Sequence, residues 1–173
     1  MEFDVYEPQV EEITGAAGGS DPERLVVDNA LLKARAGAGE RPDSIVLGVD
    51  TDVVLGTQVL GKPAHREGAR RRLGALSGQI HQVLSGVAVI DSGSEHTAVA
   101  RTAVTFRRLS VREVSDYVAT GEWEGRAGGY AVQGFGSSLI ARIEGDLSNV
   151  IGLPLPLVGE MLASLQDGSE DVS

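Results

Sequence analysis

The sequence predicts an α/β fold: a single domain with a mixed β-sheet flanked by helices. Two long β-rich runs, IHQVLSGVAVID and HTAVARTAVTF, follow one another across DSGSE and read as a large hairpin. Helices with legible start signals surround them, and strands and helices do not alternate as in a βαβ array. At 173 residues the chain is the size of one domain and long enough to bury a core. We place that domain at residues 1–166 and a disordered tail at 167–173, where DGSEDVS offers nothing to pack.

Taken in order, FDVYEP reads as a strand ended by Pro8, and TGAAGGS as a loop. Asp21-Pro22-Glu23 starts a helix, since Asp21 can cap and Pro22 suits the first helical position; Gly37 and Gly39 stop it. SIVLGVD is a strand expected to end at Asp50, followed by a short hairpin turning at Gly56-Thr57-Gln58. Residues 64–76 form a basic helix, and Arg70 to Arg72 read as its solvated face. After the large hairpin comes SVREVSDYVAT. Ser110 caps this helix, Glu113 completes a capping box, and Val111, Val114, Tyr117 and Val118 share one face. GGYAVQGFGSS is a glycine-rich loop, SLIARIEG a strand, and a last helix from about Pro156 turns Val158, Met161, Leu162 and Leu165 inward.

Charge and composition narrow the function. Fifteen basic residues against 25 acidic ones give a net charge of −10, which argues against a nucleic-acid polymer as partner. A small phosphate ligand held by a few local cations stays open. The absence of cysteine excludes disulfides, thiolate metal sites and a Cys nucleophile. His65, His81 and His96 are too scattered for a histidine metal centre, so any metal is a hard ion on carboxylates. No apolar run reaches the ~20 residues that span a bilayer, and the acidic MEFDVYEPQVEE is unlike a signal peptide. The expectation is a cytoplasmic protein with no membrane partner.

Four groups carry residue types suited to phosphate chemistry: Glu11-Glu12, Lys33, Asp50-Thr51 and Gly61-Lys62-Pro63. Carboxylates can hold a divalent ion and orient a water, while lysines offset charge on phosphate oxygens. Each has a plainer alternative. Glu11-Glu12 reads as a solvated acidic turn, Lys33 as a snorkelling helix lysine, Asp50 as an acceptor at a turn, and Lys62 as loop decoration. His81, on an alternating strand, reads as a hydrogen-bonded structural residue.

The order of these groups changes the weighing. G-V-D-T, L-G-K-P, L-S-G-Q-I-H, A-G-G-Y-A-V-Q-G and I-E-G-D-L-S-N-V-I-G-L-P-L succeed one another from about residue 3 to residue 165. In that combination the chain resembles the Maf family of nucleoside triphosphate pyrophosphatases. The resemblance implies an elongated mixed sheet like that of inosine triphosphate pyrophosphatase, with two lobes around a cleft. It also implies that Asp50 is the catalytic water activator and that Glu12 and Asp50 bind a divalent metal, Mg2+ or Mn2+. Lys33 and Lys62 would contact the phosphates of a nucleoside triphosphate, and Thr51 and Gln133 match positions linked with preference for dTTP and UTP. A sister branch acting on 7-methyl-GTP differs after the aspartate and around Gln133. A homodimer is the ordinary expectation for an oligomer.

Two departures qualify this. The family's leading strand and helix, with a Ser-x-Ser-Pro-Arg-Arg motif, have no counterpart after Met1. The expectation is a start assigned downstream of the true one; the alternative is a truncated nucleotide-binding module without turnover, linked to cell-division arrest. Asp52 stands where the family carries an apolar residue, on the same strand face as Asp50.

Overall fold

The computed structural model describes residues 3–14 and 21–167. Apart from their first residues, the loop expected at 14–20 and the tail expected at 167–173 lie outside that range. The elements are α1 (Pro22–Glu40), β1 (Val46–Leu55), β2 (Gln58–Val59), α2 (Arg66–Leu76), β3 (Ile80–Asp91), β4 (Ser94–Phe106), α3 (Val111–Thr120), β5 (Ile140–Glu144), α4 (Leu147–Ile151) and α5 (Leu155–Asp167). The expected α/β class is present, a sheet flanked by helices. Its order is β2-β1-β3-β4-β5. All four pairings among these strands are antiparallel, where the sequence predicts a mixed sheet. Each consecutive pair is joined by a tight hairpin or returns along its neighbour, so no parallel crossover is needed. No described helix is long and apolar enough to cross a membrane.

The sheet carries a different layer on each face. Even-numbered residues of β1 and their partners on β3 face α1, because strand side chains alternate and β1 and β3 pair Asp50 with Gly86. Odd-numbered residues face the main core. There Val53, Val83 and Val104 pack with Leu73 and Leu76 of α2, Val118 of α3, and Phe106, Trp123 and Tyr130. Further along the same face, Val87 and Val89 receive Val158, with Met161, Leu162 and Leu165 of α5 around them.

α1 begins where the sequence places it: Asp21 accepts from the Glu23 amide at 3.1 Å, and Pro22 fills the first turn. The helix lies unusually close to the sheet. A Cβ on Gly48 would stand 2.3 Å from the Ala30 carbonyl oxygen, and one on Gly86 would stand 2.2 Å from that of Val26. Both glycines therefore serve close backbone approach rather than turning.

Three readings need correction. β1 does not end at Asp50 but continues through Asp52 to Leu55, because β3 pairs with it residue for residue from Val46 to Val54. FDVYEP is not a strand. Residues 3–8 take no regular structure and pair with no described strand; the segment is tied to α1 only further on, by hydrogen bonds between Ile13 and the Asn29 side chain. Val111 is exposed rather than packed, while Val114, Tyr117 and Val118 are buried as expected. α3 otherwise follows the sequence, with its capping box formed between Ser110 and Glu113.

Candidate active site

A carboxylate in the middle of a strand is costly to bury without compensation. Asp50 is 6% exposed, and α1 supplies what it needs. Lys33 Nζ lies 2.6 Å from Asp50 Oδ1, and Asn29 Nδ2 donates to Oδ2 at 3.2 Å. Asn29 and Lys33 are four residues apart, so they stand on one helix face over the strand. Gly86, directly opposite Asp50 in the sheet, leaves the space that α1 occupies.

The same two side chains gather the first segment. Asn29 Oδ1 accepts the Ile13 amide at 2.8 Å, and its Nδ2 also donates to the Ile13 carbonyl at 3.0 Å. Glu12 is thereby placed with one oxygen 2.8 Å from Lys33 Nζ and the other 3.3 Å from Lys62 Nζ. Burial pulls the Lys33 ammonium downward, but its hydrogen bonds to Asp50 and Glu12 outweigh this and leave it above the ordinary lysine range. The hydrogen bond from Lys33 is likewise the main cause that holds Glu12 below the usual carboxylate range, against the opposing effect of burial. Asp52, the next residue on that strand face, is pushed up to about 6 by burial and then by the charge of Asp50. Three carboxylates thus face two ammonium groups, so this side of the site has surplus negative charge.

Thr51 points through the sheet to the other side. Its Oγ1 shares a 2.7 Å hydrogen bond with Ser85 Oγ, its cross-strand partner. A cavity of about 210 Å3 is lined by residues from both faces of β1, with Lys33, Asp50, Thr51, Lys62, Arg126 and Gly152 among them. Lys62 reaches it because Gly128 N–H donates to the Gly61 carbonyl at 2.8 Å, fixing the Gly61-Lys62-Pro63 segment against the turn at Ala127–Gly129.

The structure thus brings Glu12, Lys33, Asp50 and Lys62 into one bonded cluster, with Thr51 on the same cavity. Gln133 stands apart. It is exposed at the start of the short 3-10 turn Gly134–Leu139 and does not line the cavity. That turn is held by Glu122, whose carboxylate accepts the amides of Phe135 at 3.0 Å and Gly136 at 3.1 Å. Sequence reasoning missed Asn29, Ser85 and Arg126. The N-x-x-x-K spacing on a helix could have revealed Asn29, whereas Ser85 emerges only from strand register.

The donor set also bears on a divalent ion. Among the described residues no group of three or more His, Asp or Glu is placed to hold one. Glu12 and Asp50 nevertheless converge on a single point, now taken by the Lys33 ammonium. Two oxygen donors beside surplus negative charge suit a hard cation such as Mg2+, which is commonly held by one or two carboxylates together with substrate phosphates.

Comparison with known proteins gives the family of the chain. Residues 1–165 match the family model described as Maf-like protein. A protein of Moorella thermoacetica is 52% identical over 144 residues, covering 82% of this chain and 74% of its own length. One of Deinococcus radiodurans is 46% identical over 143 residues, covering 83% and 73%. One of Desulfitobacterium hafniense is 45% identical over 163 residues, covering 90% and 73%. All three are named dTTP/UTP pyrophosphatase. With a family match over nearly its whole length, and relatives near half identity, the chain belongs to the Maf family.

Proposed function

We propose that this chain hydrolyses nucleoside triphosphates, dTTP and UTP foremost, to a nucleoside monophosphate and pyrophosphate. The observation that carries the reading is the buried Asp50 carboxylate, bonded to Lys33 and Asn29 beside a cavity that Lys62 also lines. Such a carboxylate accepts a proton from water as the water oxygen attacks the α-phosphorus. The bond from that phosphorus to the α,β-bridging oxygen breaks, its electron pair leaves with pyrophosphate, and the proton passes from Asp50 to solvent. Lys33 and Lys62 offset the phosphate charge in place. Glu12 and Asp50 are the residues that would hold Mg2+ or Mn2+, and the bound ion supplies further positive charge against the phosphate oxygens. Thr51, on the opposite side of β1, is proposed to help select the base, with Gln133 entering only if its turn moves toward the cavity. The choice of dTTP and UTP is supported by the names of the three relatives. The cytoplasm, where these nucleotides are made and used, is the proposed place of action.

The test is release of pyrophosphate from dTTP, UTP and 7-methyl-GTP with magnesium present. Asp50→Asn is expected to lower the rate on dTTP by about a hundredfold or more, the ordinary share of a general base. An unchanged rate in a folded Asp50→Asn protein would sink the mechanism.

A further inference from the structure

We infer that Arg126 binds the polyphosphate tail of the nucleotide, a phosphate contact in addition to Lys33 and Lys62. The inference rests on the nucleotide reading of the site and adds a residue to it. Arg126 lines the same cavity as Asp50, Lys33 and Lys62. Its partners distinguish it from the two lysines. Lys33 is held between Asp50 and Glu12, and Lys62 is bonded to Glu12. Arg126 makes no ion pair and no side-chain hydrogen bond among the described residues.

The backbone beneath this side chain is firmly held. Arg126 N–H donates to the Trp123 carbonyl at 3.2 Å, and its own carbonyl accepts from Gly129 at 3.0 Å. Gly128 donates to Gly61 at 2.8 Å, which ties the turn to the segment carrying Lys62. With φ of +67°, Gly128 presses on β1 so closely that a Cβ there would stand 2.9 Å from a Val53 methyl. Trp123 is itself buried and bonded to the Val118 carbonyl at 3.1 Å. Arg126 is thus an exposed, unpaired arginine on a fixed base at the rim of the cavity, which lowers the ordering cost of taking up a ligand there.

Charge identifies that ligand. Glu12, Asp50 and Asp52 outnumber Lys33 and Lys62, and both lysines are engaged by carboxylates, so a polyphosphate needs more positive charge than the cluster alone supplies. Arg126 supplies a cation that no carboxylate has already taken. Its planar fork also matches two phosphate oxygens at once, which a lysine cannot do.

The probe is inorganic tripolyphosphate, titrated into the folded protein and used as a competitor of dTTP hydrolysis. Arg126→Ala is expected to weaken tripolyphosphate binding about tenfold or more, the worth of a charge-assisted hydrogen bond. KM for dTTP should rise in parallel, while inhibition by thymidine, which lacks phosphate, stays as in the parent. Arg126→Lys should recover part of the loss, which a merely structural role would not predict. Unchanged tripolyphosphate affinity in Arg126→Ala, or a parent that takes up no tripolyphosphate, overturns the inference. If the parent binds tripolyphosphate through Arg126 yet releases no pyrophosphate from dTTP or UTP, the phosphate contact stands and the proposed activity fails.

Discussion

His81 shows how a single buried residue couples this fold to pH. It is 1% exposed, its Nε2 lies 2.8 Å from the Tyr130 hydroxyl, and its Nδ1 has no partner among the described residues. Phe106 and Tyr130 pack edge-on to it, at 5.1 and 5.5 Å between ring centres. Burial pulls its pKa down from 6.5 to about 4, so the native state refuses a proton that the unfolded chain accepts. Stability from this group is therefore complete above pH 6.5 and falls as the pH drops toward 4. The size is about 2–3 kcal/mol across that window. Urea unfolding at neutral pH and near pH 5 should show the loss in the parent and a smaller loss in His81→Gln, whatever the variant's absolute stability. An equal pH dependence in both proteins would remove His81 as the cause. The sequence reading of His81 as a hydrogen-bonded structural residue agrees with this geometry. Alternation along IHQVLSGVAVID puts it on the same face as Val83, Val87 and Val89, which are all buried.

At the scale of elements, the contact between α1 and the sheet organises the site. Ala30, Ala34 and Gly37 give the helix a thin face, and Gly48 and Gly86 give the strands bare backbone to meet it. Replacing Gly86 by Ala puts a methyl against the Val26 carbonyl and must lift α1. We expect a loss of about 1–3 kcal/mol in stability together with a fall in turnover, because Asn29 and Lys33 ride on the same helix. Normal turnover in a destabilised Gly86→Ala protein would separate helix position from chemistry. Elements with strong local signals were legible beforehand: the Asp21 and Ser110 caps, and the hairpin at DSGSE. Those settled by distant partners were not. Asp-Thr-Asp breaks the apolar run of β1, and only β3 on one side and α1 above keep that strand intact. α4, five residues long, is too short to show a helical period. Glu12, Lys33, Asp50 and Lys62 were readable as a set because family motifs mark them, while Asn29 and Arg126 carry no such mark.

For the molecule as a whole, β1 and β3 belong to both layers, so neither layer can come away without exposing the other. Ion pairs between α1 and β4, Arg35 with Glu95 and Arg101 with Glu23, lie at the surface and add little. Cohesion comes from the apolar burial on the two sheet faces. Thermal unfolding should accordingly be one cooperative step. Trp123, the single tryptophan, reports on the main core, and far-UV circular dichroism reports on the helices of both layers, α1 included. Coincident midpoints are expected, and a clear separation would show the layers melting independently. The two-sided sheet has a consequence for engineering. Asp50 and Thr51 are neighbours in the chain and share one cavity, but they point to opposite faces of the sheet, one toward α1 and one toward Ser85 and Gly152. A library that varies Thr51, Ser85 and the loop after α4 can therefore reshape one side of the cavity while the bonded cluster of Glu12, Lys33, Asp50 and Lys62 on the α1 side keeps its contacts.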